Sequence, residues 1–299
     1  MSIESLQRIV TLCAEWGLTF AQVVRVLETQ TDGRSEEEQY RRMRELWAFM
    51  REASRNYEPQ LRSASGLSGG DGEIFRVYAQ QETSLCGTFV SSVITEALQM
   101  AESNACMKRI VAAPTAGSCG VLPAVLLPLY NAGSAAEPDI VEALFVAAGI
   151  GLVIAHRASI SGAEGGCQAE IGSASAMAAG SLVFLKNGTP EQCASAAGFA
   201  LQNLLGLVCD PVGGLVEVPC IKRNVIGAVN ALAAADMALS GIVPVIPPDE
   251  VIDAMRSVGT LMDPSLRETG RGGLAATPAA RQQMNIKPVR KLQFPNRPL

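Results

Sequence analysis

A chain of 299 residues with 24 basic and 29 acidic side chains has a net charge of −5. It lacks the basic excess that tracking a phosphate backbone needs, which argues against a nucleic-acid partner. Apolar residues make up 48% but aromatics only 5%, so the core of one large domain or two modest ones is built from small side chains that let helices approach closely.

Eight cysteines in so long a chain do not describe a secreted disulfide scaffold. The first residues show no basic stretch followed by an apolar one, so no signal peptide is visible and a cytoplasmic, reducing setting is expected. Residues 2–17 read as a helix with Ile3, Leu6, Val10 and Cys13 on one face and Gly17 as its stop. Thr19 and Gln22 form a capping box for a second helix. Ser35 and Glu38 repeat the device before a long helix that turns Tyr40, Met43, Leu46, Trp47 and Met50 inward. This charged front, residues 1–62, reads as a helical layer. Residues 63–72, rich in Ser and Gly, read as a flexible linker, or alternatively as a loop whose N–H groups and hydroxyls cover a small anion.

A helix over 82–103 comes next, then a Thr/Gly/Ser loop, then the apolar run 121–130. The uncharged stretch from Ile110 to Ala136 has the length of a membrane span, but Pro114, Pro123 and Pro128 make it a buried loop plus helix, with no membrane involved. Further helices start at Glu137, Gln168, Thr189 (capping box with Gln192), Val225 and Pro247. Strand-like alternation and internal repeats are scarce. The expected fold is therefore all-α, a multi-helix domain over 63–280 with Gly-rich loops converging on one site, followed by a polar tail over 281–299.

Candidate chemistry gathers in a few segments. Thr115 and Ser118, in a loop running into a helix, present N–H groups and a dipole end suited to a carboxylate, although ordinary capping explains them equally. Arg109 nearby could anchor a carboxylate bidentately or form a surface ion pair. His156, the only histidine, ends a helix. Ser161 and Glu164 are catalytic candidates beside Cys167. Glu164 and Glu170 flank that cysteine in a charge-poor segment, where a carboxylate is either paired or functional. Cys167, Cys209 and Cys220 each stand beside Gly, Pro or Asp. They read as buried small hydrophobes or as three thiolates on loops meeting at a metal centre. Their gaps of 42 and 11 residues match neither a zinc ribbon nor a ferredoxin run. Three thiolates would leave a four-iron cluster with one iron free to act as a Lewis acid. Cys119 reads as a packing residue.

Three segments, 104–120, 159–170 and 206–224, closely resemble the bacterial iron–sulfur L-serine dehydratases, in particular the separate α subunit of the two-chain type. The likeness extends to the 63–72 loop and to Leu274-Ala-Ala-Thr-Pro278. Cys106, Lys108 and Gly270-Arg271 depart from the usual pattern. The resemblance implies an all-helical catalytic domain and a [4Fe–4S] cluster on Cys167, Cys209 and Cys220. It also implies conversion of L-serine to pyruvate and ammonia, with a base contributed by a β subunit.

Two rivals remain. A pyridoxal-phosphate dehydratase would need a Schiff-base lysine in a suitable context, which Lys108, Lys186 and Lys222 do not offer. A structural zinc protein or helical scaffold would use the cysteines only to staple loops.

Overall fold

The computed structural model describes residues 3–81 and 84–286 and contains thirteen α-helices and no strand among them, in agreement with the all-α expectation. Helix α1 (Leu6–Trp16) starts where the Ser5 side chain accepts the Arg8 N–H, and ends at Gly17 with φ 65°. Ile3 precedes the helix rather than sharing its face. Helix α2 (Phe20–Asp32) opens on the Thr19/Gln22 capping box. Helix α3 (Glu36–Arg55) starts at Ser35, whose side chain accepts the Glu38 N–H. Its buried stripe runs through Trp47 and Met50, with Tyr40 and Met43 partly covered, at spacings of three and four. Leu46 falls off that stripe and is 41% exposed, contrary to expectation. Phe20, Val24, Leu27 and Trp47 share one continuous apolar cluster with Phe145, Val146 and Ile150, so the front helices pack into the common core.

Helix α4 (Asp71–Ala79) occupies a stretch for which the sequence suggests no helix, and residues 63–72 are not a free linker. The carboxylate of Glu102 accepts the N–H groups of Asp71 (2.8 Å) and Gly72 (3.1 Å) and the Tyr57 hydroxyl (2.7 Å). The hydroxyls of Ser63 and Ser65 donate to Glu217. The loop therefore grips carboxylates of its own chain. Its cap comes from a residue 31 positions away, which local sequence cannot reveal.

Helix α5 (Gly87–Ala105) starts after residue 82, which with 83 lies outside the described residues. The proline-bearing stretch resolves into a loop and the buried helix α6 (Val121–Asn131). Helix α7 (Glu137–Arg157) has the length and mean hydropathy, 1.9, of a membrane span, but 61% of that window is buried inside the protein. Gly149 of α7 admits Val24 of α2, whose Cγ2 would lie 2.4 Å from any Cβ at that position.

The short helix α8 (Gly162–Gly165) and a wide turn over Gln168–Gly172 lead into α9 (Ser173–Leu185). Helix α9 is buried nearly all round by α6, α7, α10 (Pro190–Gln202) and α11 (Cys220–Leu239). Small residues make this possible: a Cβ on Gly180 would sit 2.2 Å from Ile150 Cδ1. The hydroxyls of Ser175 and Ser181 donate to the carbonyls of Gly227 and Ala143. Helix α11 begins five residues before the expected Val225. Helices α12 (Pro248–Leu261) and α13 (Pro278–Ile286) close the described chain. Residues 281–286 are thus helical, and the remainder of the expected polar tail lies outside the described residues.

Candidate metal centre

All three singled-out cysteines are buried, at 2%, 2% and 6% exposure for Cys167, Cys209 and Cys220. They are not all on loops. Cys167 begins the turn into α9 directly after Gly166 (φ 75°), and Cys220 is the first residue of α11 after Pro219. The chain-bending residues that suggested loops are the ones that immediately precede helix starts. Only Cys209 is extended: its N–H donates to Leu266 O and its carbonyl accepts the Glu268 N–H, both at 2.8 Å.

The sulfurs of Cys167 and Cys209 and a carboxylate oxygen of Glu170 all lie within 4.8 Å of one another. The neighbouring Cys209 thiol, together with the nearby Arg223 charge, holds the Cys167 thiol below its ordinary value. The same proximity, reinforced by burial, pushes the Cys209 thiol up. Burial and the charge of Cys167 raise Cys220 to about 12.

Glu170 joins this group to the 115–120 loop. Its Oε1 accepts the Thr115 hydroxyl at 2.7 Å, and the Thr115 and Ser118 hydroxyls lie 3.1 Å apart. Burial lifts the Glu170 carboxyl above the usual range, with the Thr115 bond opposing the shift. Two glycines make room for it. A Cβ on Gly117 would lie 3.1 Å from Oε1, and one on Gly162 would lie 2.6 Å from Oε2 and 3.2 Å from Cys209 Sγ. Asn224 fixes the same loop from α11. Its Nδ2 donates to Gly117 O (2.8 Å) and Cys220 O (2.9 Å), and its Oδ1 accepts the Gly120 N–H (2.8 Å).

The donor set fits a soft or borderline metal group. Two buried thiols and a carboxylate converge, with the buried Cys220 at the start of the adjoining α11, and thiolates of this kind suit iron–sulfur clusters and zinc. The structure thus brings Cys167, Cys209, Thr115 and Ser118 together around Glu170, with the Cys220 backbone tied through Asn224 to the same loop. Other candidates bond to other partners. Glu164 accepts the Ser159 hydroxyl at 2.6 Å and lines a cavity of about 320 Å³ with the exposed His156 and Arg256. Ser161 caps α8, its N–H donating to Ser159 Oγ. The Arg109 guanidinium stacks 3.7 Å over the Phe49 ring in a cavity shared with Glu58 and Lys108. Neither cavity is lined by any of the three cysteines.

Cys119 is fully buried, its thiol pushed up to about 12 and directed at Met100 O, as suits a packing residue. Lys108 and Lys222 are engaged by Glu58 and Asp71, and Lys186 is exposed beyond α9. Sequence reasoning did not pick out Arg223, Asp210 and Asn224. The available signal was helical spacing, since Arg223 and Asn224 follow Cys220 by three and four residues.

The family described as serine dehydratase alpha chain matches residues 15–275. The chain is 44% identical over 278 residues to the "Probable L-serine dehydratase, alpha chain" of Bacillus subtilis (strain 168), covering 93% of each. It is 55% identical over 190 residues to the protein of the same name from Latilactobacillus sakei, covering 62% of this chain and 91% of that one. Identity to the L-serine dehydratase alpha chain of Peptoniphilus asaccharolyticus is 40% over 276 residues, covering 92% and 94%.

Proposed function

The chain belongs to the serine dehydratase alpha-chain family, and from that premise we propose that it is the alpha chain of an L-serine dehydratase, a lyase that removes water from L-serine to yield pyruvate and ammonia. The observation that carries this reading beyond family membership is the packing of Cys167, Cys209 and Glu170 within one ligand sphere.

Cys167, Cys209 and Cys220 are the proposed holders of a [4Fe–4S] cluster. When bound, a cluster with one iron lacking a protein ligand supplies a Lewis acid for the departing hydroxide, a poor leaving group by itself. The chain's own residues shape the rest of the pocket. Thr115 and Ser118, aligned beside Glu170, form the wall assigned to the polar end of the substrate. Gly117 and Gly162 keep that wall open, since a methyl group at either would press on Glu170. Loss of the Cα proton and of hydroxide gives aminoacrylate, which tautomerises and hydrolyses in water to pyruvate and ammonium.

The proton acceptor is assigned to a β chain, because the one histidine here is exposed and lines the Glu164 cavity instead. The test is anaerobic reconstitution of the chain with iron and sulfide, followed by a pyruvate assay with and without the β chain. Iron and sulfide bound by the wild type, lost on changing any of the three cysteines to Ala, and turnover only with β are expected. Full turnover by this chain alone would overturn the β assignment, and a protein that binds no sulfide would overturn the cluster.

A further inference from the structure

Arg223 sits three residues beyond Cys220 on the first turn of α11. Its Nη1 donates to Val208 O at 2.6 Å and its Nη2 to Asp210 Oδ1 at 2.7 Å, so its fork spans the residues on either side of Cys209. Asp210 is held in turn: its Oδ2 accepts the Leu274 N–H at 2.7 Å, and its side chain is 4% exposed. One cation thus ties the segment that carries Cys209 to the helix that starts at Cys220.

We propose that Arg223 is the positioning residue of the metal centre, stapling the Cys209 turn to the start of α11, where Cys220 stands, while its charge offsets the thiolates. The inference rests on the cluster reading above.

The Arg223 side chain is itself only 13% exposed, and it sets a positive charge against the residues that flank Cys209 from the turn that follows Cys220. Three thiolates buried this deeply carry an excess of negative charge, which is costly without a partner. The planar fork also matters. Two parallel N–H directions can bracket Cys209, whereas a lysine ammonium offers a compact point charge on a flexible stem.

Arg223→Gln and Arg223→Lys separate the two contributions. Each is reconstituted anaerobically with iron and sulfide, then followed for metal per chain, iron release to a ferrous chelator, and cluster reduction potential. Melts of the iron-free proteins serve as the folding control. Arg223→Gln is expected to release iron about 10–100-fold faster than wild type, the usual scale for losing a residue that orients metal ligands. Its potential should move to more negative values, because a neighbouring positive charge is gone. Arg223→Lys is expected to share the fast release, having lost the fork, while keeping a potential near wild type. If Arg223→Gln fails the folding control, Arg223→Lys alone decides. Wild-type release from Arg223→Lys overturns the staple, and an unchanged potential in a folded Arg223→Gln overturns the charge role. Failure of the wild type itself to hold iron and sulfide would instead sink the cluster reading.

Discussion

The Thr115 hydroxyl donates to Glu170 Oε1 at 2.7 Å across 55 positions of sequence. That bond joins a loop suited to a carboxylate to the turn that starts at Cys167. It puts a proton donor, a buried carboxyl and two thiols into one small volume, so a change on either side is felt on the other.

Thr115→Val keeps the shape and removes the donor. Leaving a buried acceptor short of a partner costs about 1–3 kcal/mol, and the Glu170 carboxyl then has less to keep it in place. The expected result is a well-folded protein with activity reduced about tenfold or more, the rate equivalent of about 1.4 kcal/mol, measured as pyruvate formation by the complete enzyme. Unaltered kcat and KM would show that this bond has no part in the site.

Gly162→Ala tests the room around Glu170. The new methyl would lie 2.6 Å from Oε2 and 3.2 Å from Cys209 Sγ, so the carboxylate has to swing away or the turn has to shift. Iron retained after anaerobic reconstitution should fall well below wild type while the helical circular dichroism stays the same. Retention equal to wild type would mean that Glu170 is free to relocate without disturbing the thiols.

Glu102→Ala tests the grip on the 63–72 loop. It removes the acceptor for Asp71 N, Gly72 N and the Tyr57 hydroxyl together. Stability should drop by about 1–3 kcal/mol per donor left buried and unpaired, seen in urea denaturation. Amide exchange should quicken first at the start of α4. Exchange rates there that do not change would place the grip elsewhere.

Glu96 supplies a pH dependence. Burial lifts its carboxyl above the ordinary range, and the Ser54 hydroxyl, donating to Oε2 at 2.8 Å, only partly opposes this. A carboxyl whose folded value exceeds its unfolded value binds its proton more tightly in the folded protein. Its contribution to stability is therefore complete below the unfolded value and disappears as pH rises through the folded one. Glu96→Gln, uncharged throughout, should melt higher than wild type at pH 7 and lose that advantage toward pH 4. Parallel melting curves at both pH values would contradict this.

Local signals set the helices and hid much of the site. The Thr19/Gln22 and Thr189/Gln192 boxes, Gly17 as a stop and the small-residue character of α9 are written within a few consecutive residues, and each appears in the structure as the sequence suggests. Helix α4 was not legible, because Glu102, which caps it, lies on another helix. Leu46 looked buried because an apolar residue one position off a stripe cannot be told from one on it without knowing what the stripe faces. The convergence of Cys167 and Cys209, the Thr115–Glu170 bond and the reach of Arg223 depend on separations of many residues, which neither periodicity nor spacing encodes.

The bridge from Cys209 to Leu266 and Glu268, with Asp210 tied to Leu274, makes the middle cysteine depend on the last part of the chain to be synthesised. When Cys167, Cys209 and Cys220 have all left the ribosome, the strand-like partner of the middle one has yet to be made. The turn that holds Cys209 is therefore complete only in a chain that reaches residue 274.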